Sequence, residues 1–222
     1  MSGRGDAHAK LILMMRPPQS EALAQRMEWG LGFMDAYFTG ASVVHRAAEE
    51  IARRLEAAGI DYAIAGALSL NAYGYMRATV DVDVIVTREG LARFKAEWLG
   101  RGYVNLRAGG KPVRDAENNV QIDFLLAGDF PGDGKPKPVA IPVPDTVSVS
   151  AGKYRVISLP CLVELKLASG MTAPHRLKDL ADIQELIGKA SIPRDLVEQL
   201  NPYVRDKFLE LWDAAQHPDD EY

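Results

Sequence analysis

The sequence predicts an α+β fold, and three observations carry the prediction. Short apolar runs of strand character alternate with amphipathic helical stretches over residues 42–158, only helical spacing remains beyond Ser158, and 222 residues suit one domain or one with an appendage. The chain therefore divides into an N-terminal arm with a helix (1–41), an α/β core (42–158) and a helical C-terminal region (159–222). With 47% hydrophobic and 25% charged residues, disorder throughout is excluded. Lys and Arg total 26 against 30 Asp and Glu, a formal charge of −4, which is not the signature of a protein that coats nucleic acid. A single cysteine, Cys161, excludes a disulfide framework and a cysteine-cluster zinc site, and it points to the reducing cytoplasm. No apolar run reaches the ~18–20 residues of a membrane span, so no membrane partner is expected.

Taken in order, residues 1–19 read as an arm or as sequence upstream of the true start. Residues 20–38 carry a helical stripe of Leu23, Met27, Leu31, Met34 and Phe38, weakened by Gly30 and Gly32. Ser42 is a good N-cap for a helix whose apolar positions run from Val44 to Ala58, and Gly59 supplies the stop. Residues 60–65 read as a strand, 68–73 as a short helix, and 80–86 as a strand that alternates strictly before becoming wholly apolar. A helix over 88–99 is capped by Thr87. Strands follow at 103–107 and 120–126, separated by a loop rich in Gly, Pro, Asn and Asp. Residues 128–138 hold too much Pro and Gly for either regular structure, and 154–157 is the last strand. Helices are expected at 162–168, 174–187, 193–200 and 202–216, the last opened by Asn201 and Pro202.

The chemistry concentrates between Gly66 and Asp83. Asp81 and Asp83, two apart on a strand, share one face about 6.6 Å apart along the backbone. Such a pair is either a solvated strand face or the two sides of a divalent-cation site, because carboxylates that close repel unless a cation lies between them. Magnesium favours this kind of donor together with phosphate oxygens. Gly66, at a strand end before a short helix, can bring backbone N–H groups up to phosphate, and Arg77 can clamp it. Asp123 is the lone acid in the run Val120 to Leu126. It is either an edge-strand solubility device or a third carboxylate meeting the other two, which would make a metal site for phosphoryl or nucleotidyl transfer. Cys161 reads as a small buried hydrophobe, and the histidines show no ligand spacing.

Residues 66–83 resemble the signature of the DNA polymerase beta-like nucleotidyltransferase superfamily, and in particular its small bacterial branch that includes the AbiEii-type toxins. That pattern is a glycine pair, a short helix ending in His-Gly, and an Arg-x-Thr-x-Asp-x-Asp run. Gly66, Gly74, Arg77, Thr79, Asp81 and Asp83 match it in register, and the third family carboxylate falls on Asp123. Further on, Lys166 and the run Arg176, Lys178, Asp179, Asp182 are similar to the family's helical Lys and Arg-x-Lys-Asp-x-x-Asp region. Two positions depart from the pattern: Ala67 replaces the second glycine, where its methyl group could crowd a triphosphate, and Tyr73 replaces the histidine. Ser69, two residues on, stands where a hydroxyl could reach phosphate only by a longer path.

The resemblance implies a nucleotidyltransferase-like small mixed sheet flanked by helices. It implies catalytic and metal-binding roles for Asp81, Asp83 and Asp123, with two Mg²⁺ ions. Nucleotide binding falls to Gly66, Ala67, Ser69, Arg77, Lys166, Lys178 and Asp182. The reaction implied moves a nucleoside monophosphate from a nucleoside triphosphate such as ATP to an acceptor hydroxyl, on a tRNA end, a small molecule or a protein. A toxin-like member would have an antitoxin partner. The alternative, motivated by Ala67, is a non-catalytic nucleotide- or partner-binding module of the same fold.

Overall fold

The computed structural model describes residue 32, residues 34–37, residue 40 and residues 42–216. The arm at 1–19 and the tail at 217–222 lie outside the described residues. So does the helix expected at 20–38, except residues 32 and 34–37, which are helical.

Helix α1 (Val43–Ala57) begins where Ser42 accepts a hydrogen bond from the His45 N–H, and Gly59 follows its end at a φ of 60°. Then come β1 (Ala63–Ile64), α2 (Gly66–Ala72), β2 (Asp81–Val86) and α3 (Arg88–Trp98), the last capped by the Thr87 hydroxyl accepting from the Gly90 N–H. Next are β3 (Tyr103–Asn105), β4 (Val113–Asp115), β5 (Val120–Leu126), α4 (Pro144–Val147), β6 (Ser148–Ala151) and β7 (Tyr154–Ile157). Helices α5 (Leu159–Thr172), α6 (Leu177–Ala190) and α7 (Pro202–Ala215) close the chain, with 3₁₀ turns at Pro174–Arg176 and Arg194–Gln199. The turn at Arg194–Gln199 takes the place of the full helix expected at 193–200, and β1 is shorter than the run at 60–65.

Two strands were not foreseen. Inside the Gly/Pro/Asn/Asp loop, β4 pairs antiparallel with both β3 and β5, and its turn is built by Asp115, whose carboxylate accepts from the Glu117 and Asn118 N–H groups. The other, β6, pairs antiparallel with β7 across Gly152.

The sheet is mixed and seven-stranded, in the order β3-β4-β5-β2-β1-β7-β6. At its centre β2 runs parallel to β5 and antiparallel to β1. Alternation sorts the two faces. Val82, Val84, Ile122 and Phe124 join α1 and α3 in one apolar core, whereas Ala63, Ile85 and Leu70 join α5, α6 and α7 in another. The sheet is thus covered by helices on both faces, and the C-terminal helices lie over the face that carries Asp81, Asp83 and Asp123. No helix among the described residues is long and apolar enough to cross a membrane.

Candidate functional site

The site is set by strand register. Parallel pairing of β2 and β5 places Asp83 opposite Asp123 and Asp81 opposite Gln121, so three carboxylates and one amide form two adjacent rows on one face. All three acids line a pocket of about 430 Å³, within the ~300–1,000 Å³ range of small-molecule sites. The Thr79 hydroxyl donates to Asp81, and the Gln121 amide nitrogen lies 3.0 and 2.9 Å from the two oxygens of Asp123.

Asp83 lines the pocket beneath Gly66. Gly66, at a φ of 63°, packs so closely on it that a Cβ built there would sit 2.0 Å from the Asp83 Oδ2. Burial first, then repulsion from Asp81 and Asp123, pushes the Asp83 carboxyl up to about 6, and the positive charges of Lys166 and Arg176 offset this only in part. Part of its surface stays open to the pocket although protein surrounds it densely. Asp123 is raised as well, through burial, with the Gln121 amide opposing and Asp81 adding to the effect.

Across the pocket, α5 and α6 hold a different arrangement. The Lys166 Nζ, buried between the helices, donates to Asp179 at 3.0 Å and to Asp182 at 2.7 Å. Arg77 pairs with Asp182 at 3.2 Å, Arg176 with Asp179 at 3.0 Å, and the Ser169 hydroxyl donates to Asp179 at 2.7 Å. Burial alone would raise the Asp179 carboxyl, but Lys166, Ser169 and Arg176 together outweigh it and hold it below the usual carboxylate range.

The fold is similar to that of the antibiotic-resistance factor ANT(2'')-Ia. Its solution structure is 16% identical, with 77% of this chain and 97% of that chain covered at a TM-score of 0.46. Its crystal structure in complex with adenylyl-2''-tobramycin is 16% identical, with 73% and 97% covered at a TM-score of 0.46. No family model and no curated protein matches this chain.

The pocket brings together most of the residues singled out from sequence: Gly66, Ala67, Arg77, Asp81, Asp83, Asp123, Lys166 and Lys178 all line it. Ser69 and Asp182 do not. Ser69 is buried with its hydroxyl donating to the Gly66 carbonyl at 2.9 Å, so it braces the turn beneath the pocket. Asp182 is buried behind Lys166 and Arg77. Cys161 is half-buried rather than enclosed, and lies apart from the pocket.

Three features escaped the sequence reading. Asn71 ties Arg77 down, its side-chain oxygen accepting from the Arg77 N–H at 2.7 Å. Gln121 was passed over although it sits two residues before Asp123, a same-face spacing that could have drawn attention to it. The loop after β5 forms a wall of the pocket through Asp129, Phe130, Pro131 and Gly132.

The donor chemistry fits magnesium. Three carboxylates supply oxygen donors that suit a hard cation, and the repulsion that adds to burial in raising Asp83 is what such a cation relieves. As the side chains stand, no three His, Cys, Asp or Glu groups among the described residues are gathered closely enough to hold a metal ion. Gln121 and Thr79 engage two of the three acids instead.

Proposed function

We propose that the chain is a magnesium-dependent nucleotidyltransferase that moves a nucleoside monophosphate from a nucleoside triphosphate to an acceptor hydroxyl. One observation carries the reading: two adjacent parallel strands bring Asp81, Asp83 and Asp123 to a single pocket, while Arg77, Arg176 and Lys178 line the same pocket. Asp81, Asp83 and Asp123 would hold two Mg²⁺ ions, which supply neutralisation of the triphosphate charge. Backbone at Gly66 and Ala67 receives phosphate oxygens beside Arg77 and Lys178. Lys166 contributes positive potential from behind, where it also fixes α5 to α6 through Asp179 and Asp182. In the transfer, the acceptor oxygen bonds to the α-phosphorus as the bridging P–O bond breaks. Its proton passes to Asp123, and pyrophosphate leaves with the electron pair.

The pocket lining is charge-balanced, with Arg77, Lys111, Lys166, Arg176 and Lys178 facing Asp81, Asp83, Asp123, Asp129 and Asp179. That balance gives no basic track for a polynucleotide and favours a small-molecule acceptor over a tRNA end or a protein side chain. A toxin role with an antitoxin partner would require that expression arrest growth and that Asp83→Asn abolish the arrest.

The test is calorimetric titration with the four ribonucleoside triphosphates, with and without Mg²⁺, followed by pyrophosphate release over an acceptor panel. Wild type should bind in a Mg²⁺-dependent way and turn over, and Asp81→Asn and Asp83→Asn should do neither. Unchanged turnover in those variants sinks the assignment. A second reading, a non-catalytic nucleotide- or partner-binding module, is favoured by the engagement of Arg77 and Lys166 with Asp182. It predicts Mg²⁺-dependent binding without pyrophosphate release for any acceptor.

A further inference from the structure

The pocket has a second end that the transfer chemistry leaves unused. Leu125 follows Asp123 by two residues on the same face of β5, so it lies about 6.6 Å further along the strand. The same pocket is lined by further apolar side chains, Phe130, Pro131, Ile141, Leu162 and Leu165. Leu125, Phe130, Pro131 and Leu165 are only half-buried, so part of their apolar surface remains open.

The wall that supplies Phe130 is a built element. The loop is closed at its base by the Gly128 N–H donating to the Ile141 carbonyl at 2.9 Å and the Ile141 N–H donating to the Asp129 carbonyl at 2.8 Å. Lys137 has a side chain only 5% exposed, and its ammonium donates to the Pro131 carbonyl, to Asp133 at 2.6 Å and to the Thr172 hydroxyl of α5 at 3.1 Å. Gly132, at a φ of 74°, seats directly on α5: a Cβ there would lie 2.4 Å from the Thr172 hydroxyl and 2.8 Å from the Ser169 carbonyl. Three independent ties thus hold Phe130 in place before any ligand arrives.

We propose that this apolar end is the nucleobase subsite, with Phe130 as the surface on which the base stacks. The inference rests on the nucleotidyl-transfer reading and deepens it. A nucleoside is joined to its α-phosphate through one ribose, so a triphosphate held at Asp81 and Asp83 must place its base about one sugar's length away. The apolar part of the same lining is Leu125, Phe130, Pro131, Ile141, Leu162 and Leu165, and the half-buried ring of Phe130 is the one among them on which a base can stack. The polar side chains beside Phe130 are engaged with each other: Lys111 pairs with Asp129 at 2.6 Å, and Arg88 also grips Asp129. The subsite therefore stacks a ring without reading its edge, so adenine and guanine bind alike and purines bind more tightly than the smaller pyrimidines.

The test compares binding of ATP, GTP, CTP, UTP and inorganic tripolyphosphate, each with Mg²⁺, by calorimetry. Tripolyphosphate can occupy only the charged end. Phe130→Ala should weaken all four nucleotides by about 10- to 100-fold, leave tripolyphosphate within about twofold, and Phe130→Trp should restore nucleotide affinity. Equal loss for tripolyphosphate overturns the proposal, since Phe130 would then merely support the fold. Unchanged nucleotide affinity in Phe130→Ala overturns it too, as does wild type binding tripolyphosphate as tightly as ATP, although in that case the transfer reading survives. Wild type binding none of the five removes the transfer reading and this inference together.

Discussion

Two groups of aspartates face each other across the pocket, and they have opposite electrostatics. Asp179 and Asp182, on α6, are buried and fully partnered by Lys166, Arg77, Arg176 and Ser169. Among the described residues, Asp81 and Asp123, on β2 and β5, are hydrogen-bonded by a hydroxyl and an amide, Asp83 feels Lys166 and Arg176 only at a distance, and two of the three carboxyls are raised. The helical group carries its counter-charges in the chain, so it holds structure together. On the function proposed above, the strand group leaves its charge for a bound cation. That reading divides identical side chains into scaffold and site, and the division can be attacked from both sides.

The largest effect is expected in the helical group. Lys166→Met leaves Asp179 with Arg176 and the Ser169 hydroxyl and Asp182 with Arg77, and should cost about 3–5 kcal/mol in urea denaturation. A cost below about 1 kcal/mol would mean that the lysine does not bind the two helices together. Next comes Gly66→Ala, whose methyl group would collide with Asp83 in a backbone conformation that L-residues avoid. It should cost about 1–3 kcal/mol and abolish Mg²⁺-dependent nucleotide binding, read by thermal denaturation with and without ligand.

Asp83→Asn should act in the opposite direction. Without divalent cations at pH 7.5 it should gain on the order of 1 kcal/mol, because it removes a charge that burial and its neighbours disfavour. It should also lack the stabilisation that Mg²⁺ with nucleotide is expected to give wild type under the proposed function. Destabilisation by this substitution would place Asp83 with the structural acids and dissolve the contrast.

The smallest effect is a pH slope. With its folded value raised to about 6, Asp83 contributes stability fully below its ordinary value of 3.8, and this is lost as pH rises through about 6. Asp179, held low, has the reverse sign: its contribution is present above the ordinary value and lost as pH falls below it. In chelator, the stability of wild type minus that of Asp83→Asn should therefore fall between about pH 4 and 6. The corresponding difference for Asp179→Asn should rise with pH over the acid range. Parallel slopes would show that the two groups share one environment.

Much of this contrast was legible in the sequence. The strict alternation of 80–86 placed Asp81 and Asp83 on one face, the lone acid of 120–126 marked Asp123, and the caps Ser42, Thr87 and Asn201 fixed three helix starts. The partners of Lys166 were not legible. They lie 13 and 16 residues away and meet it only because α5 and α6 pack side by side, which local spacing cannot report. Strands β4 and β6 escaped for a simpler reason: three or four residues with a single Val each are too short to display a period, and their structure comes from the partner strand. The fixed loop behind Phe130 was hidden by its Pro and Gly content, which announces irregular backbone but says nothing of the buried lysine that locks it.

The double-faced sheet also has a bearing on synthesis. The carboxylate row is complete once β5 has left the ribosome, yet the face that bears it has no cover until α5, α6 and α7 have followed. Until then Ala63 and Ile85 on the sheet and Leu70 of α2 would stand open to water, and the central strands β2 and β5 are joined by a long crossover, the slow kind of pairing to establish. A nascent chain at that stage offers what holding chaperones recognise. A chain cut at Ser158 would remain at that stage permanently, prone to self-association and with its acids in place but no folded site around them.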